Sequence, residues 1–475
     1  MAYEIVMGIE VHVELSTATK IFCNCTTKFG GEANTHCCPV CMGMPGTLPV
    51  LNKNVVEYTI AAGLATNCQI TPNNKFDRKN YFYPDLPKAY QISQLYYPIC
   101  HDGHIDIEVD GVKKAIRIKE IHMEEDAGKL IHDPWDDCTQ VDYNRCGVPL
   151  IEIVSEADFR SEKEVVAYLE KLKSILQFIG VSDCKMQEGS LRADINLSVM
   201  PAGSKEFGTR TEMKNMNSFK AIARAILGES KRQIELLEEG GTVVQETRRW
   251  DDNKGTSFSM RSKENAQDYR YFPEPDLIPI EIDEAWIARV KARLPELPDA
   301  KKTRYMTDFG LSEYDANILI SSKYLVDIFE KTVEDGVAPK EAANWIMGDL
   351  MKKLNDNQME PEEIHFETSY LAKLIKLVEA GVVNRNTAKK VFEKVFDENV
   401  EPEAYIEQNG LKMVSDDSVV KAAIEEVLAA NEKSVGEYKA GNQKALKFLM
   451  GQSMGKLKGK ANPQVVSRIL NELLN

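Results

Sequence analysis

The spacing of apolar and polar residues divides the chain into a mixed first part and a helical second part. Up to about residue 290, apolar residues alternate with polar ones in segments such as Ile105–Val109 and Ser190–Met200, which predicts β-strands. Ser161–Glu164 has the sequence of a capping box and opens a predicted helix, and a second helix is predicted near Asn217–Glu239. The first part is therefore an α+β domain.

Beyond the prolines at Pro273–Pro279 the apolar spacing becomes helical. Helices with short connections are predicted at Ala316–Glu330, Lys340–Leu354, Glu367–Glu379 and Ala388–Val395. A stretch rich in Asp, Glu and Pro at Asp397–Glu403 suggests a linker, and a small helical module follows it. We predict three domains, residues 1–292, 293–404 and 405–475.

Composition describes an ordinary globular protein. Of its 475 residues, 43% are hydrophobic and 28% are charged. The sequence has no apolar run of the roughly eighteen residues that a membrane span needs. The N-terminus has no basic segment typical of a secretory signal, so ten cysteines indicate a reducing, cytoplasmic location rather than a disulfide framework.

Charge is unevenly distributed along the chain. The net charge of −15 disfavours indiscriminate binding of nucleic acid through the whole surface. Residues 436–475, in contrast, contain seven lysines and arginines and two glutamates. This basic end has two interpretations, a solvated helical face and a surface that contacts a phosphate backbone.

Five cysteines lie within nineteen residues near the N-terminus. The spacing Cys-Pro-Val-Cys is usual in zinc knuckles, so we predict a tetrahedral zinc site, with Cys37 as the spare thiol, formed by Cys23, Cys25, Cys38 and Cys41. The alternative is a group of buried free thiols, and the choice between Cys37 and Cys38 as the zinc ligand stays open. Four thiolates leave no open coordination position, so the predicted zinc is structural.

The first predicted strand carries a separate set of metal-binding side chains. Because a strand sends every second side chain to the same face, Glu10, His12 and Glu14 point together, and Val11 and Val13 point away from them. Carboxylate oxygens beside one imidazole suit Mg²⁺. This strand is therefore a candidate side of a magnesium site.

Other carboxylates are candidates for the same site. Glu124, Glu125 and Asp126 are consecutive, and like charges packed so closely repel one another unless a cation neutralises them. Glu152 and Asp194 lie in strand-like runs, where an unpaired carboxylate is costly. Together with Glu10 and His12 these residues could surround one or two Mg²⁺ ions. The alternative for residues 124–126 is a solvent-exposed acidic turn.

The segment Lys75–Asp85 combines basic and aromatic side chains. Such residues neutralise phosphates and stack on bases, but they also form aromatic corners packed on a core, and the sequence leaves both open. Neither a Gly-x4-Gly-Lys-Ser/Thr loop nor a Gly-x-Gly-x-x-Gly fingerprint is present. A nucleotide, if bound, is held in another way.

Taken together, these segments resemble the B subunits of the tRNA-dependent aspartyl/glutamyl amidotransferases. The resemblance covers essentially the whole chain and is carried by Gly8–Leu15, Phe76–Asp85, Lys88–Gln94, His122–Lys129, Pro149–Glu156, Glu188–Arg192, Asp268–Asp276 and Asn462–Gln464. The resemblance implies a cradle domain related to glutamine synthetase, then a helical domain, then a small helical tail that contacts tRNA. It also implies a heterotrimer with an amidase A subunit and a small C subunit. The cysteines match those of the zinc-bearing members.

The resemblance further implies ATP-dependent amidation of Glu-tRNA(Gln), Asp-tRNA(Asn) or both, with ammonia that the A subunit frees from glutamine and that arrives through an internal channel. It implies that His12, Glu125 and Glu152 hold Mg²⁺, and that Glu10 and Asp194 lie around a second metal or the ATP. The choice between the two tRNAs stays open, as does the identity of the residue that accepts the ammonia proton.

The remaining implied roles concern phosphates. Lys79 steadies the transferring phosphate, and Arg192 and Arg248 contact phosphate or carboxylate groups. The implied tRNA contacts are Lys444, Lys447, Lys456, Lys458 and Lys460. Two other interpretations compete, a non-catalytic tRNA-binding zinc protein and a free-standing ligase that resembles glutamine synthetase. The basic tail argues against the ligase.

Overall fold

A computed structural model describes residues 2–132, 137–262, 268–413, 417–457 and 461–474. The chain divides into two compact units, residues 1–298 and 299–475. The mixed first unit and the helical second unit agree with the predicted fold class, and the predicted division into three domains stays a prediction. In the described ranges, no helix is long and apolar enough to cross a membrane.

The strands lie in the first unit. In chain order they are β1 (Tyr3–Glu14), β2 (Gln69–Ile70), β3 (Asn73–Asn74), β4 (Asp77–Asn80), β5 (Tyr90–Ser93), β6 (Cys100–Val109), β7 (Val112–Glu125), β8 (Lys129–His132), β9 (Thr139–Asp142), β10 (Pro149–Ser155), β11 (Leu191–Pro201), β12 (Thr211–Lys214), β13 (Glu246–Asp251), β14 (Thr256–Ser262), β15 (Phe272–Pro273) and β16 (Ile280–Glu281).

The helices lie in both units. In chain order they are α1 (Lys53–Ala65), α2 (Glu162–Phe178), α3 (Phe219–Glu238), α4 (Glu284–Lys291), α5 (Pro298–Thr307), α6 (Glu313–Leu319), α7 (Lys323–Glu334), α8 (Pro339–Trp345), α9 (Met351–Asn357), α10 (Ser369–Glu379), α11 (Arg385–Glu398), α12 (Pro402–Gln408), α13 (Asp417–Ala430), α14 (Glu432–Lys439), α15 (Gln443–Lys456) and α16 (Pro463–Leu474). A π-helical segment, Ile346–Leu350, joins α8 to α9, and Pro361–Glu363 forms a 3₁₀ turn.

A nine-stranded sheet organises the first unit. Its order is β14-β13-β12-β11-β1-β10-β7-β6-β2, with β12 and β13 parallel and the other neighbours antiparallel. Helices α2 and α3 pack on one face, against apolar residues such as Val11, Ile153 and Ile195. Because β1 lies between β10 and β11, its polar side chains occupy the middle of the opposite face.

The helices of the second unit enclose two apolar clusters. Trp345, Phe329 and Phe392 belong to the first, and the second is built from α13, α15 and α16 around Ile424. The helix predicted over residues 316–330 is instead two helices, α6 and α7. Ser322 breaks it, because its hydroxyl accepts a hydrogen bond from the Tyr324 amide (3.2 Å) and caps α7. Helix α12 crosses the predicted boundary at residues 404/405.

Candidate active site and metal centres

The polar face of β1 is extended by its neighbouring strands into a continuous row. In the antiparallel register Arg192 lies beside His12, His12 beside Glu152, and Glu152 beside His122. Directly paired residues project from the same face of a sheet. Four strands that are distant in sequence therefore present two imidazoles, a guanidinium and a carboxylate in one line.

Two of these side chains and one neighbour form what we call the His12 cluster, defined as His12, Glu124 and Glu152. One ligand atom from each lies within 4.8 Å of the others. His12 Nε2 lies 3.4 Å from Glu152 Oε2 and 3.7 Å from Glu124 Oε1. Burial lowers the pKa of His12, but its hydrogen bond to Glu152 and the surrounding negative charge raise that pKa to about 9. The cluster thus places two carboxyl groups beside one imidazole, an arrangement that favours positive charge.

Glu124, and not Glu125, which the family resemblance implied as a ligand, lies with His12 and Glu152. The side chains of β7 alternate, so Glu124 projects on the face of His122, and Glu125 projects on the opposite face. There the Glu125 carboxylate pairs with Lys88 and accepts a hydrogen bond from the Ile92 amide (2.9 Å). The structure therefore brings together two members of the predicted set, His12 and Glu152, and not the third.

A second acidic cluster lies on the same face, on β1 and the two strands that follow it in the sheet, β11 and β12. Its members, Glu10, Asp194 and Glu212, also have ligand atoms within 4.8 Å of one another. The Lys214 ammonium pairs with Asp194 and lies 2.9 Å from Glu212. Burial and the charge of Glu152 raise the pKa of Glu10. Glu10 and Asp194 were predicted for this region; Glu212 and Lys214 were not.

Lys79 on β4 lies beside the His12 cluster. Burial lowers the pKa of its ammonium, but the negative charges of Glu124 and Glu152 raise that pKa by more, so the group stays charged. The ammonium faces the rings of Tyr269 (5.1 Å) and Tyr81 (5.8 Å). It has no hydrogen-bond acceptor within the described part of the chain, so its donors are available to a ligand.

Arg192 lies at the end of the row opposite His122. Its guanidinium donates to Asp126 Oδ2 at 2.8 Å, and Arg145 lies 3.4 Å from the same oxygen. Glu14 lies beside this pair, and burial together with Asp126 raises its pKa to about 8. Asp126 is thus held by two guanidinium groups and is not part of either acidic cluster.

The structure does not bring Arg248 to this face. Arg248 projects to the same side as Trp250, which packs on α3, and its guanidinium contacts Glu246, Ser257 and the fully buried Glu229. Its neighbour Arg249 pairs in register with Lys214 and is exposed. Arg249 therefore faces the acidic clusters, and it has no ion pair within the described residues.

The predicted cysteine quartet is assembled in the loop after β1. The Sγ atoms of Cys23, Cys25, Cys38 and Cys41 lie within 4.8 Å of one another. The Sγ atoms of Cys38 and Cys41 are 3.9 Å apart, close to the roughly 3.8 Å expected for two thiolates on one tetrahedral zinc. Cys37 lies outside the group, and its thiol donates to the Asn34 carbonyl at 3.3 Å.

A buried lysine supports the quartet. Lys20 is fully buried, and its Nζ lies 3.6 Å from Cys41 Sγ. A hydrogen bond from Cys23 and the charge of Lys20 help to lower the pKa of Cys41 to about 4, against the effect of burial. Lys20 and Cys41 also line a cavity of about 200 Å³, together with Lys88 and Glu125.

The basic tail lies on the last helices. Lys444 and Lys447 are exposed on α15, and Lys456 at its end lies 2.8 Å from Glu426. Lys458 and Lys460 lie outside the described residues, so their predicted roles stay predictions. The described lysines form part of an exposed helical surface, which is compatible with either interpretation of the tail.

Several site residues escaped the sequence analysis. His122, Glu212 and Lys214 were not predicted, although a period-two pattern runs through His122 and Glu124 and another through Glu212 and Lys214, so alternation could have identified them. Arg249 and Arg248 are adjacent, and only the strand register distinguishes their faces.

Comparisons with known proteins agree with this architecture. A family model described as the GatB/GatE catalytic domain matches residues 5–288, and one described as the GatB domain matches residues 327–474. The chain is 67% identical over 473 residues to the B subunit of an aspartyl/glutamyl-tRNA(Asn/Gln) amidotransferase from Lachnoclostridium phytofermentans, covering 100% of this chain and 99% of that protein. It is 60% identical over 477 residues to a protein of the same description from Caldicellulosiruptor bescii, with 100% and 99% covered.

Proposed function

Because the chain belongs to the family of B subunits of aspartyl/glutamyl-tRNA(Asn/Gln) amidotransferases, we propose that its large sheet catalyses ATP-dependent amidation of glutamate or aspartate esterified to tRNA. The observation that carries this proposal is the position of the unpartnered Lys79 ammonium beside the His12 cluster. An anionic pocket for a divalent cation next to a free ammonium is the arrangement that binds a polyphosphate. By the same family relationship, we assign the first unit a cradle fold related to glutamine synthetase.

The side chains present fit magnesium. His12, Glu124 and Glu152 offer one nitrogen and carboxylate oxygens, and Mg²⁺ is usually held by few protein ligands together with waters and substrate phosphates. Glu124 takes the place of Glu125 in this ligand set. Bound there, the ion would neutralise phosphate charge. The second acidic cluster is the candidate for a second ion.

In the proposed reaction, a carboxylate oxygen of the aminoacyl side chain attacks the γ-phosphorus of ATP, giving an acyl phosphate and ADP. Ammonia then attacks the acyl carbon, the C–O bond to phosphate breaks, and the nitrogen loses a proton. Lys79 donates hydrogen bonds to the transferred phosphoryl group, and Arg192, at one end of the row, contacts a carboxylate or a phosphate. The enzyme thereby converts a poor leaving group into phosphate.

The cysteine quartet fits a structural zinc, because four sulfur ligands complete its coordination. For partners we propose the amidase A subunit, which supplies ammonia from glutamine through an internal channel, and a small C subunit. The basic tail, with the five lysines predicted from the sequence, contacts the tRNA backbone, which sets position more than sequence.

The test is amidation by the reconstituted complex with Mg²⁺, ATP and glutamine. We expect product from Glu-tRNA(Gln), from Asp-tRNA(Asn) or from both, and none from free glutamate. Amidation of free glutamate without tRNA would support the free-standing ligase instead. Binding of tRNA without any ATP hydrolysis would support the non-catalytic role.

The two adjacent arginines give a matched pair of variants. Arg249→Ala is expected to raise the KM for ATP or for the aminoacyl-tRNA by tenfold or more, since hydrogen bonds to charged groups contribute about 1.5–3 kcal/mol. Its stability should change by less than about 0.5 kcal/mol, because Arg249 is exposed. Arg248→Ala should instead destabilise the fold by about 1–3 kcal/mol, because Glu229 loses a buried partner. Steady-state kinetics and urea denaturation separate the two effects. A raised KM in Arg248→Ala and a destabilised fold in Arg249→Ala would refute the assignment of these two side chains to opposite faces of β13.

Replacement of Lys456, Lys458 and Lys460 by alanine is expected to weaken tRNA binding and to flatten its salt dependence. Each lost phosphate contact reduces the slope of log K against log salt by about 0.7–0.9. The control is a triple alanine variant of three exposed lysines in the first unit, Lys113, Lys220 and Lys231. Equal slopes for the wild type and the tail variant would exclude the tail as a phosphate contact.

A further inference from the structure

Two imidazoles approach Glu152 from opposite sides. His12 on β1 and His122 on β7 are the direct neighbours of Glu152 on β10. Both Nε2 atoms are directed at the same carboxylate oxygen, Oε2, at 3.4 Å from His12 and 3.0 Å from His122. One carboxylate with two flanking imidazoles poses the question of which ring binds the metal.

The two rings differ in position and in exposure. His12 has ligand atoms grouped with Glu124 and Glu152, and His122 is not a member of that group. The His12 side chain is 21% exposed and the His122 side chain 10%, so an arriving ion meets His12 first. The Nε2 of His122 is within hydrogen-bond distance of Glu152, whereas its distance to the nearest Glu124 oxygen is 3.9 Å.

The two ring nitrogens of His122 have different surroundings. His122 Nδ1 is buried and has no hydrogen-bond partner among the described residues. The Nε2–H bond to Glu152 is therefore the contact that fixes the ring, and a carboxylate acceptor requires the proton on Nε2. In return, this bond fixes the rotation of the Glu152 carboxylate beside Glu124.

From this geometry we propose that His122 is a positioning residue, which holds Glu152 in the orientation for divalent binding and does not itself ligate the ion. The inference rests on the proposed function, because that function requires a divalent ion at the His12 cluster. Groups that hydrogen-bond to metal ligands commonly change metal affinity by about 10–100-fold when they are removed. The hydrogen bond between His122 and Glu152 also means that the pairing of β7 with β10 holds the metal-binding side chain in place.

The test uses the purified full-length chain, with Mn²⁺ as the probe and free Mn²⁺ measured by electron paramagnetic resonance. His122→Ala is expected to weaken Mn²⁺ binding by about 10–100-fold. His122→Gln should recover most of that affinity, because the glutamine amide presents an N–H donor in place of Nε2–H. His104→Gln on neighbouring β6 is the matched control and should bind as the wild type does.

A second measurement separates positioning from ligation. Electron spin echo modulation should show an imidazole nitrogen bound to Mn²⁺ in the wild type and in His122→Gln, and should lose it in His12→Gln. The proposal would be overturned if the imidazole nitrogen signal were retained in His12→Gln and lost in His122→Gln. It would also be overturned if His122→Ala bound Mn²⁺ with wild-type affinity, or if His122→Gln bound Mn²⁺ no more tightly than His122→Ala. If the wild type binds no Mn²⁺, the metal site of the proposed function fails, and this proposal fails with it.

Discussion

Replacement of Glu152 by glutamine is expected to lower ATP-dependent amidation by the assembled complex by about 10²–10³-fold, a loss typical of removing one preorganised charge from an active site. Glu152 is the central member of the four-strand row, and both imidazoles meet its Oε2 atom. Glutamine keeps the shape of the side chain but removes the negative charge that the proposed Mg²⁺ needs. The measurement is the rate of amidation with saturating ATP, together with tRNA affinity, which should not change.

Further glutamine variants make this result specific. Glu108→Gln, on the exposed side of β6, should have wild-type activity and controls for the loss of one charge. Glu124→Gln and Glu125→Gln then distinguish the two candidate ligands. We expect Glu124→Gln to weaken Mn²⁺ binding and Glu125→Gln to leave it intact, because the Glu125 carboxylate is paired with Lys88 on the other face. A fully active Glu152→Gln complex would refute the catalytic assignment.

Replacement of Cys41 by serine is expected to release zinc from the quartet and to destabilise the loop that the quartet closes. Binding of structural zinc by small domains contributes roughly 10–16 kcal/mol of apparent free energy, so loss of one of four ligands has a large effect. Residues 20–52 contain turns and one isolated bridge, Thr19 with Thr26, rather than long elements, so the loop depends on individual contacts such as the quartet and the hydrogen bonds from Asn34 and His36 to the segment at 141–144.

Cys37→Ser is the matched control for this experiment. Cys37 lies outside the quartet, so this variant should keep one equivalent of zinc by elemental analysis and the thermal midpoint of the wild type. Cys41→Ser should lose the metal and show a lower midpoint. Zinc retained by Cys41→Ser, or lost from Cys37→Ser, would show that the ligands are different.

The sequence predicted the framework of the fold because that framework depends on local patterns. Alternation identified the polar face of β1, and the capping box placed helix α2, where the Ser161 hydroxyl accepts from the Glu164 amide. The proposed ligands were harder to choose. Residues 124–126 look like an acidic turn in isolation, and only the end of β7 shows that consecutive carboxylates project to different faces.

Long-range register caused the other differences. Arg248 and Arg249 have the same local sequence environment, and their faces follow from the pairing of β13 with β12, which joins segments separated by helix α3. Lys20 gave no local signal, because its partner Cys41 lies 21 residues away. The break between α6 and α7 depends on one serine cap in an otherwise continuous apolar spacing.

The row that runs through Arg192, His12, Glu152 and His122 has a consequence for how the chain matures. Its members come from four segments between residues 12 and 192, so a nascent or truncated chain that lacks any one of those strands has no complete row. Ions that bind there can stabilise the completed sheet alone. In the proposed function, Mg²⁺ bound by the His12 cluster would therefore stabilise only chains in which β1, β7 and β10 have paired.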